Sequence, residues 1–184
     1  MRIVAGSAKG VRLAPVPRGV RPVSDAAREG VFSSLAEHVQ GARVLDLYAG
    51  TGAMAIEALS RGAEHAVLVE RNRAAIRTIR DNLERAKVGD RAEVVASDVL
   101  SFVRSHDDSG AAADLVLADP PYGFEQGELE AVLAALGART PAEGSRRVVL
   151  TRPKRSSTPV IPVHWLLARR LTYGDTLVLI FQEA

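Results

Sequence analysis

The chain has 184 residues, of which 47% are hydrophobic, and its 24 Lys and Arg against 22 Asp and Glu give a net charge of +2. That length and apolar content support one domain with a sizeable core and leave no room for a second full domain. Cysteine is absent, which excludes disulfides, thiolate metal sites and cysteine nucleophiles, suits a reducing cytoplasm, and removes the thiol that carbon-5 methylation of a pyrimidine requires.

The four histidines, His38, His65, His106 and His164, are scattered without metal-ligand spacing, so no metal is expected. No segment approaches the roughly 20 apolar residues of a membrane span. The expectation is therefore a soluble, cytoplasmic protein with no membrane partner. The sequence pI of about 9.3 matters less than where the charge lies. Up to residue 28 there are six basic side chains, Arg2, Lys9, Arg12, Arg18, Arg21 and Arg28, against the single acid Asp25. A second cluster, Arg146, Arg147, Arg152, Lys154 and Arg155, contains no acid. Each reads either as a solvated surface or as a phosphate-binding face.

Residues 1–22 form a segment of their own: short β-prone pieces around Ile3 and Leu13, separated by Gly6 and Gly10, then a stretch broken by Pro15, Pro17, Gly19 and Pro22. They predict a small hairpin and an extended arm, with residues 23–184 as the catalytic domain. From Ser24, a potential cap alongside Asp25, the set Ala27, Val31, Leu35 and Val39 recurs at helical spacing. Strands and helices then alternate: strands over 44–47, 66–69, 93–95, 114–118 and 147–150, helices over 53–61, 72–87, 98–104 and 128–136. Residues 166–171 and 176–182, joined through Tyr173-Gly174-Asp175, predict an antiparallel hairpin at the sheet edge. Doubly apolar strands linked by helices require a mostly parallel α/β sheet covered on both faces.

The first strand runs into Asp46-Leu47-Tyr48-Ala49-Gly50-Thr51-Gly52 and then a helix. Glycines there allow a tight turn and close passage of the backbone past a ligand. With Ala55 the loop also satisfies G-x-G-x-x-A, so the glycines alone do not separate a nucleotide-linked methyl donor from a dinucleotide. The strand-end acids do more. Glu70 can accept from both hydroxyls of an adenosine ribose, Asp98 after Ser97 from an adenine amino group, and Asp46 can meet an ammonium where a pyrophosphate would be repelled. Tyr48, Ala49, Gly50 and Gly52 complete the candidate cradle, with Arg71 beside Glu70, Val99 beside Asp98, and Asp119 as a further cofactor contact.

The fourth strand leads into Asp119-Pro120-Pro121-Tyr122. Two prolines fix φ and remove two donors, leaving a stiff turn whose carbonyls are expected to point outward as acceptors. An aromatic amine has its lone pair delocalised into the ring. Acceptors on both N–H bonds, here the Asp119 carboxylate and the Pro120 carbonyl, draw it toward tetrahedral geometry. Tyr122, with Phe124 as a second surface, can stack on a base flipped out of its helix. The predicted reaction is in-line displacement, in which the amine takes the methyl group and a neutral thioether leaves, so S-adenosylmethionine is the expected cofactor and S-adenosylhomocysteine the product.

These motifs together resemble the class I methyltransferases, and more closely the bacterial 16S rRNA (guanine-N2)-methyltransferases of the RsmD family. The likeness runs along nearly the whole chain: 1–6, Arg21-Pro22, 25–29 with Phe32, 45–52, 57–63, 119–122 and 173–176. Val23 stands where the family usually carries threonine. The resemblance implies a Rossmann-like seven-stranded sheet with an N-terminal β-hairpin, and methylation of N2 of one guanine in 16S rRNA within an assembled or assembling 30S subunit. It turns the basic arm into candidate RNA contacts: Arg2, Lys9, Arg12, Arg21 and Arg28. A monomer is expected. Rival readings are a DNA adenine-N6 or protein glutamine-N5 methyltransferase, a dinucleotide-linked dehydrogenase, and an RNA-binding module without catalysis.

Overall fold

The computed structural model describes residues 1–15, 23–105, 113–121, 123–139 and 146–183. Its centre is a seven-stranded sheet built from β1 (Arg43–Leu47), β2 (His65–Glu70), β3 (Ala92–Ala96), β4 (Leu115–Ala118), β5 (Arg147–Pro153), β6 (Trp165–Tyr173) and β7 (Thr176–Glu183), in the order β3-β2-β1-β4-β5-β7-β6. The first five strands pair in parallel. β7 pairs antiparallel with β6, as the tight Gly174-Asp175 turn dictates, and lies antiparallel against β5 on its other side. Strand order reverses between β1 and β4, so the loops after these two neighbours open at a topological switch point, where open α/β sheets bind ligands.

Alternation along the strands assigns each residue to one face. Val44, Leu68, Leu115, Leu117, Val149 and Ile180 join a core with α1 (Asp25–Ser34), α2 (Ala53–Ser60) and α3 (Arg73–Ala86). Leu45, Leu47, Val67, Val116, Leu150 and Phe181 face α4 (Val99–Arg104) and α5 (Gln126–Gly137). Ser24 caps α1 by accepting from Ala27 N at 3.1 Å. The helix stops at Ser34 rather than continuing to Val39, and the chain tightens into a 3-10 turn over Ala36–His38. Leu35 and Val39 are nevertheless buried, because the tighter turn still delivers both apolar positions to the core.

The N-terminal segment closes as a small antiparallel hairpin, with Ile3 N donating to Val11 O at 3.0 Å and Leu13 N to Met1 O at 3.2 Å. Ile3, Ala8 and Leu13 are buried in the first core. The hairpin docks on α2, where Glu57 accepts from Val4 N at 2.9 Å and Ala5 N at 3.0 Å, and Ser60 Oγ accepts from Ala8 N at 2.9 Å. Gly6, at φ +83°, approaches so closely that a Cβ would fall 1.8 Å from Ser60 O. The 57–63 stretch is thus a clasp for the hairpin.

Arg28 belongs to this clasp. It is fully buried, donates to the Arg2 carbonyl, pairs with Asp25 at 2.9 Å and lies 3.5 Å from Glu57. It is therefore withdrawn from the basic surface on which the sequence placed it, because its charge is needed beside a buried carboxylate. Arg146 leaves the second basic cluster for the same reason: it is buried, 2.6 Å from Glu183, and donates to the Leu136 and Arg139 carbonyls.

Candidate active site

Two loops meet at the switch point. In the first, Tyr48, Gly50 and Gly52 have φ of 62°, 58° and 76°. Glycine adopts this region freely, but for Tyr48 it carries a strain of roughly 1–3 kcal/mol. Ala49 N donates to Val69 O at 3.1 Å, and Gly50 N to Glu70 Oε2 at 3.0 Å. The other Glu70 oxygen accepts from Asn72 N at 2.8 Å, so Glu70 pins the glycine loop to the start of α3 and keeps lone pairs on each oxygen. A Cβ on Gly50 would meet only Tyr48 O, at 3.8 Å; the backbone there borders open space.

Beneath the loop, Asp46 is 2% exposed and accepts from Ala55 N at 3.1 Å. Burial raises its pKa to about 8; the Ala55 bond opposes this, and the negative charges of Asp119 and Glu70 add to it. The second loop begins with Asp119, whose amide donates to Leu47 O at 3.4 Å and whose carboxylate accepts from the Thr151 hydroxyl of β5. Burial lifts Asp119 to about 6 against the Thr151 bond. Pro120 is buried and Pro121 exposed. The outward carbonyls expected of both prolines are reduced by one, since Pro121 O accepts from Phe124 N at 3.0 Å. Tyr122 lies outside the described residues.

Phe124 meets Tyr48 edge-on, with ring centroids 5.2 Å apart and planes at 69°. It joins the two loops. The Tyr48 hydroxyl is buried without a hydrogen-bond partner among the described residues, and its pKa is pushed up by burial and then by Asp98 and Glu128. Asp98 caps α4 through Ser101 N at 3.1 Å and lies 3.8 Å from exposed Arg71. Ser97 N donates to Glu70 O at 3.2 Å, and Val99 is buried.

The structure thus gathers Asp46, the glycine loop, Glu70, Asp98 and Asp119 at one end of the sheet. Of the proposed RNA contacts, Arg2, Lys9 and Arg12 are exposed on the hairpin, and Arg21 lies outside the described residues. Sequence reasoning missed Thr151, which is 2% exposed and holds the Asp119 carboxylate. Its signal was a hydroxyl continuing the apolar run Val148-Val149-Leu150. It also missed Asn82, a polar residue on the buried face of α3.

A buried acid with a single donor among the described residues, beside a glycine loop and with acids at the next strand ends, has the chemistry for a ligand carrying an ammonium, a ribose and an adenine. Fold and site define a class I, Rossmann-like methyltransferase. The family described as Conserved hypothetical protein 95 matches residues 1–182. Ribosomal RNA small subunit methyltransferase D of Escherichia coli K12 is 34% identical over 185 residues, covering 100% of this chain and 90% of that protein. Among solved structures, yhhF of Escherichia coli superposes with a TM-score of 0.86 at 32% identity, covering 100% of this chain and 97% of the other. A hypothetical protein of Thermus thermophilus, TTHA0928, gives 0.81 at 32% identity, with 98% of each chain covered. The chain belongs to the ribosomal RNA small subunit methyltransferase D (RsmD) family.

Proposed function

We propose that this chain methylates the exocyclic N2 amine of a guanine in 16S rRNA, within the assembled or assembling 30S subunit in the cytoplasm, acting as a monomer on a flipped base. The observation that carries the reading is the placement of Asp119 across the β1/β4 switch point from the glycine loop and Asp46. Family membership supplies the rRNA, and the chemistry of the site supplies the amine.

In this reading Asp46 faces the ammonium of S-adenosylmethionine, Glu70 its ribose hydroxyls, and Ser97 and Asp98 its adenine. Tyr48, Ala49, Gly50 and Gly52 pass alongside, with Arg71 and Val99 at the rim. Bound there, S-adenosylmethionine supplies an activated methyl group. Asp119 and the Pro120 carbonyl each accept one N–H of the target amine, which turns its lone pair out of the ring plane for direct in-line attack. With a pKa of about 6, Asp119 is largely an acceptor at neutral pH. Thr151 fixes which way its carboxylate faces, and the surplus proton leaves to Asp119 or to water. Tyr122 stacks on the flipped base, and Arg2, Lys9, Arg12 and Arg21 meet the RNA backbone.

The test is to incubate the protein and labelled donor separately with naked rRNA, small subunits, DNA and protein, and to map the product. Label at guanine N2 of 16S rRNA is the expected result. Label at adenine N6 of DNA or at a glutamine amide would replace it with one of the rival amine substrates.

A further inference from the structure

Asn82 sits in the apolar stripe of α3, among Ile79, Leu83 and Ala86, with no solvent exposure. An amide there weakens the helix relative to leucine or alanine and loses water on burial. Its hydrogen bonds account for its presence, and they join two backbones from opposite ends of the proposed reaction. Oδ1 accepts from Ala14 N at 2.7 Å, and Nδ2 donates to Thr51 O at 2.9 Å. Ala14 is where the chain leaves the basic hairpin toward the proline-rich stretch; Thr51 lies between the two glycines of the cofactor loop. The other side-chain ties of the hairpin go to Glu57 and Ser60, toward the far end of α2, and to Arg28 of α1. Among the described residues, Asn82 is the side chain that bonds to both the hairpin and the glycine loop.

We infer that Asn82 is a positioning residue that couples RNA engagement by the hairpin to the geometry of the cofactor loop, so that RNA and the adenosyl ligand each tighten the binding of the other. The inference rests on the reading above, in which the hairpin meets RNA and the loop holds the adenosyl ligand. Coupling of this kind is reciprocal. A shift of the hairpin exit carried to Thr51 alters the loop in which Gly50 and Tyr48 hold their positive φ.

Labelled S-adenosylhomocysteine, which allows no turnover, is titrated by equilibrium dialysis into the full chain alone and with saturating naked 16S rRNA or small subunits. In the wild type its affinity is expected to rise about tenfold with RNA present. Asn82→Leu removes both bonds, and Asn82→Asp keeps the acceptor for Ala14 N but presents a lone pair to Thr51 O. Both are expected to hold the affinity within about twofold with and without RNA. Ser60→Ala loosens the hairpin without touching the loop; it lowers Tm but keeps the tenfold response. A wild-type ratio of one, Asn82 variants that retain the full response, or a Ser60→Ala protein that loses it overturns the coupling. Failure of the wild type to bind either ligand by itself overturns the functional reading beneath it. If Asn82→Leu does not fold, Asn82→Asp decides alone.

Discussion

Glu57 and Asp46 are both carboxylates withdrawn from water on the same side of the sheet, one within α2 and the other beneath its first turn, and they are held in opposite ways. Glu57 accepts from Val4 N, Ala5 N and Arg61 Nε, with Arg28 Nε 3.5 Å away. Every donor comes from the protein and the charge is balanced in place. Asp46 accepts from Ala55 N alone among the described residues, with Glu70 and Asp119 as negative neighbours. Leaving a buried carboxylate so poorly compensated costs free energy that a packed apolar residue would not. A saturated acid is architecture, and in the proposed function the unsaturated one beside the glycine loop is where the ammonium of the cofactor arrives.

Removing Asp119, the third acid of the face, should have the largest effect. Asp119→Ala is expected to lower kcat by about 10²–10³-fold, the scale seen when one preorganised hydrogen-bond group is lost from a polar active site. Affinity for S-adenosylhomocysteine by calorimetry should hold within a few-fold. Equal turnover in the variant would refute the acceptor role. Thr151→Val, which keeps shape but not the hydroxyl, should lower kcat less and move the acidic limb of the pH–rate profile upward, because the bond it removes holds the Asp119 pKa down.

On the architectural side, Glu57→Ala strands Arg28 without its buried partner, a loss of roughly 3–5 kcal/mol. Thermal denaturation should report a fall in Tm on the order of 10 °C. Asp46→Asn, in contrast, should leave Tm nearly unchanged or raise it at neutral pH. An acid whose pKa rises from 3.8 to about 8 on folding binds its proton more tightly when folded, so it makes the free protein less stable as pH increases between those values. An arriving ammonium favours the charged form and expels that proton. Titration at pH 7 in buffers of different ionisation enthalpy should therefore count about one proton released per S-adenosylhomocysteine bound. Affinity should strengthen by about tenfold or more from pH 6 to 8, a slope absent in Asp46→Asn. If Asp46 and Glu57 variants gave the same pH dependence, the contrast between the two acids would collapse.

The sheet was legible in the sequence because parallel strands buried on both faces leave near-continuous apolar runs, and the acids were legible because they stand at the ends of those runs. Helix α1 was misread beyond Ser34 because the spacing of Leu35 and Val39 reports burial, which a 3-10 turn satisfies as well as an α-helix. Composition counts Arg28 and Arg146 with the surface charge because it shows a cation without its partner. Glu57 is 29 residues from Arg28 in sequence, and Glu183 is 37 from Arg146; only folding brings each pair together. Thr151 and Asn82 escaped for a related reason, since one polar residue in an apolar run gives no direction for its hydrogen bond.

The correction at Arg28 sharpens the smallest expected effect, which concerns the hairpin surface. Arg2, Lys9 and Arg12 are exposed while Arg28 is consumed by the clasp, so the two groups should respond differently to substitution. Arg12→Glu removes a cation from solvent without touching a buried bond, and Tm should stay within about 1 °C. If Arg12 meets a phosphate, RNA affinity falls and the slope of log K against log salt becomes shallower by about one. Cofactor affinity without RNA should be unchanged. Arg28→Ala should instead lower Tm, because it removes the cation of Asp25 and the donor to the Arg2 carbonyl and leaves Glu57 with Arg61 alone, and any loss of RNA binding should follow unfolding of the hairpin rather than the salt slope. An Arg12 variant with an unaltered slope would leave the hairpin as a structural lid on α2 and move the RNA-binding surface elsewhere on the molecule.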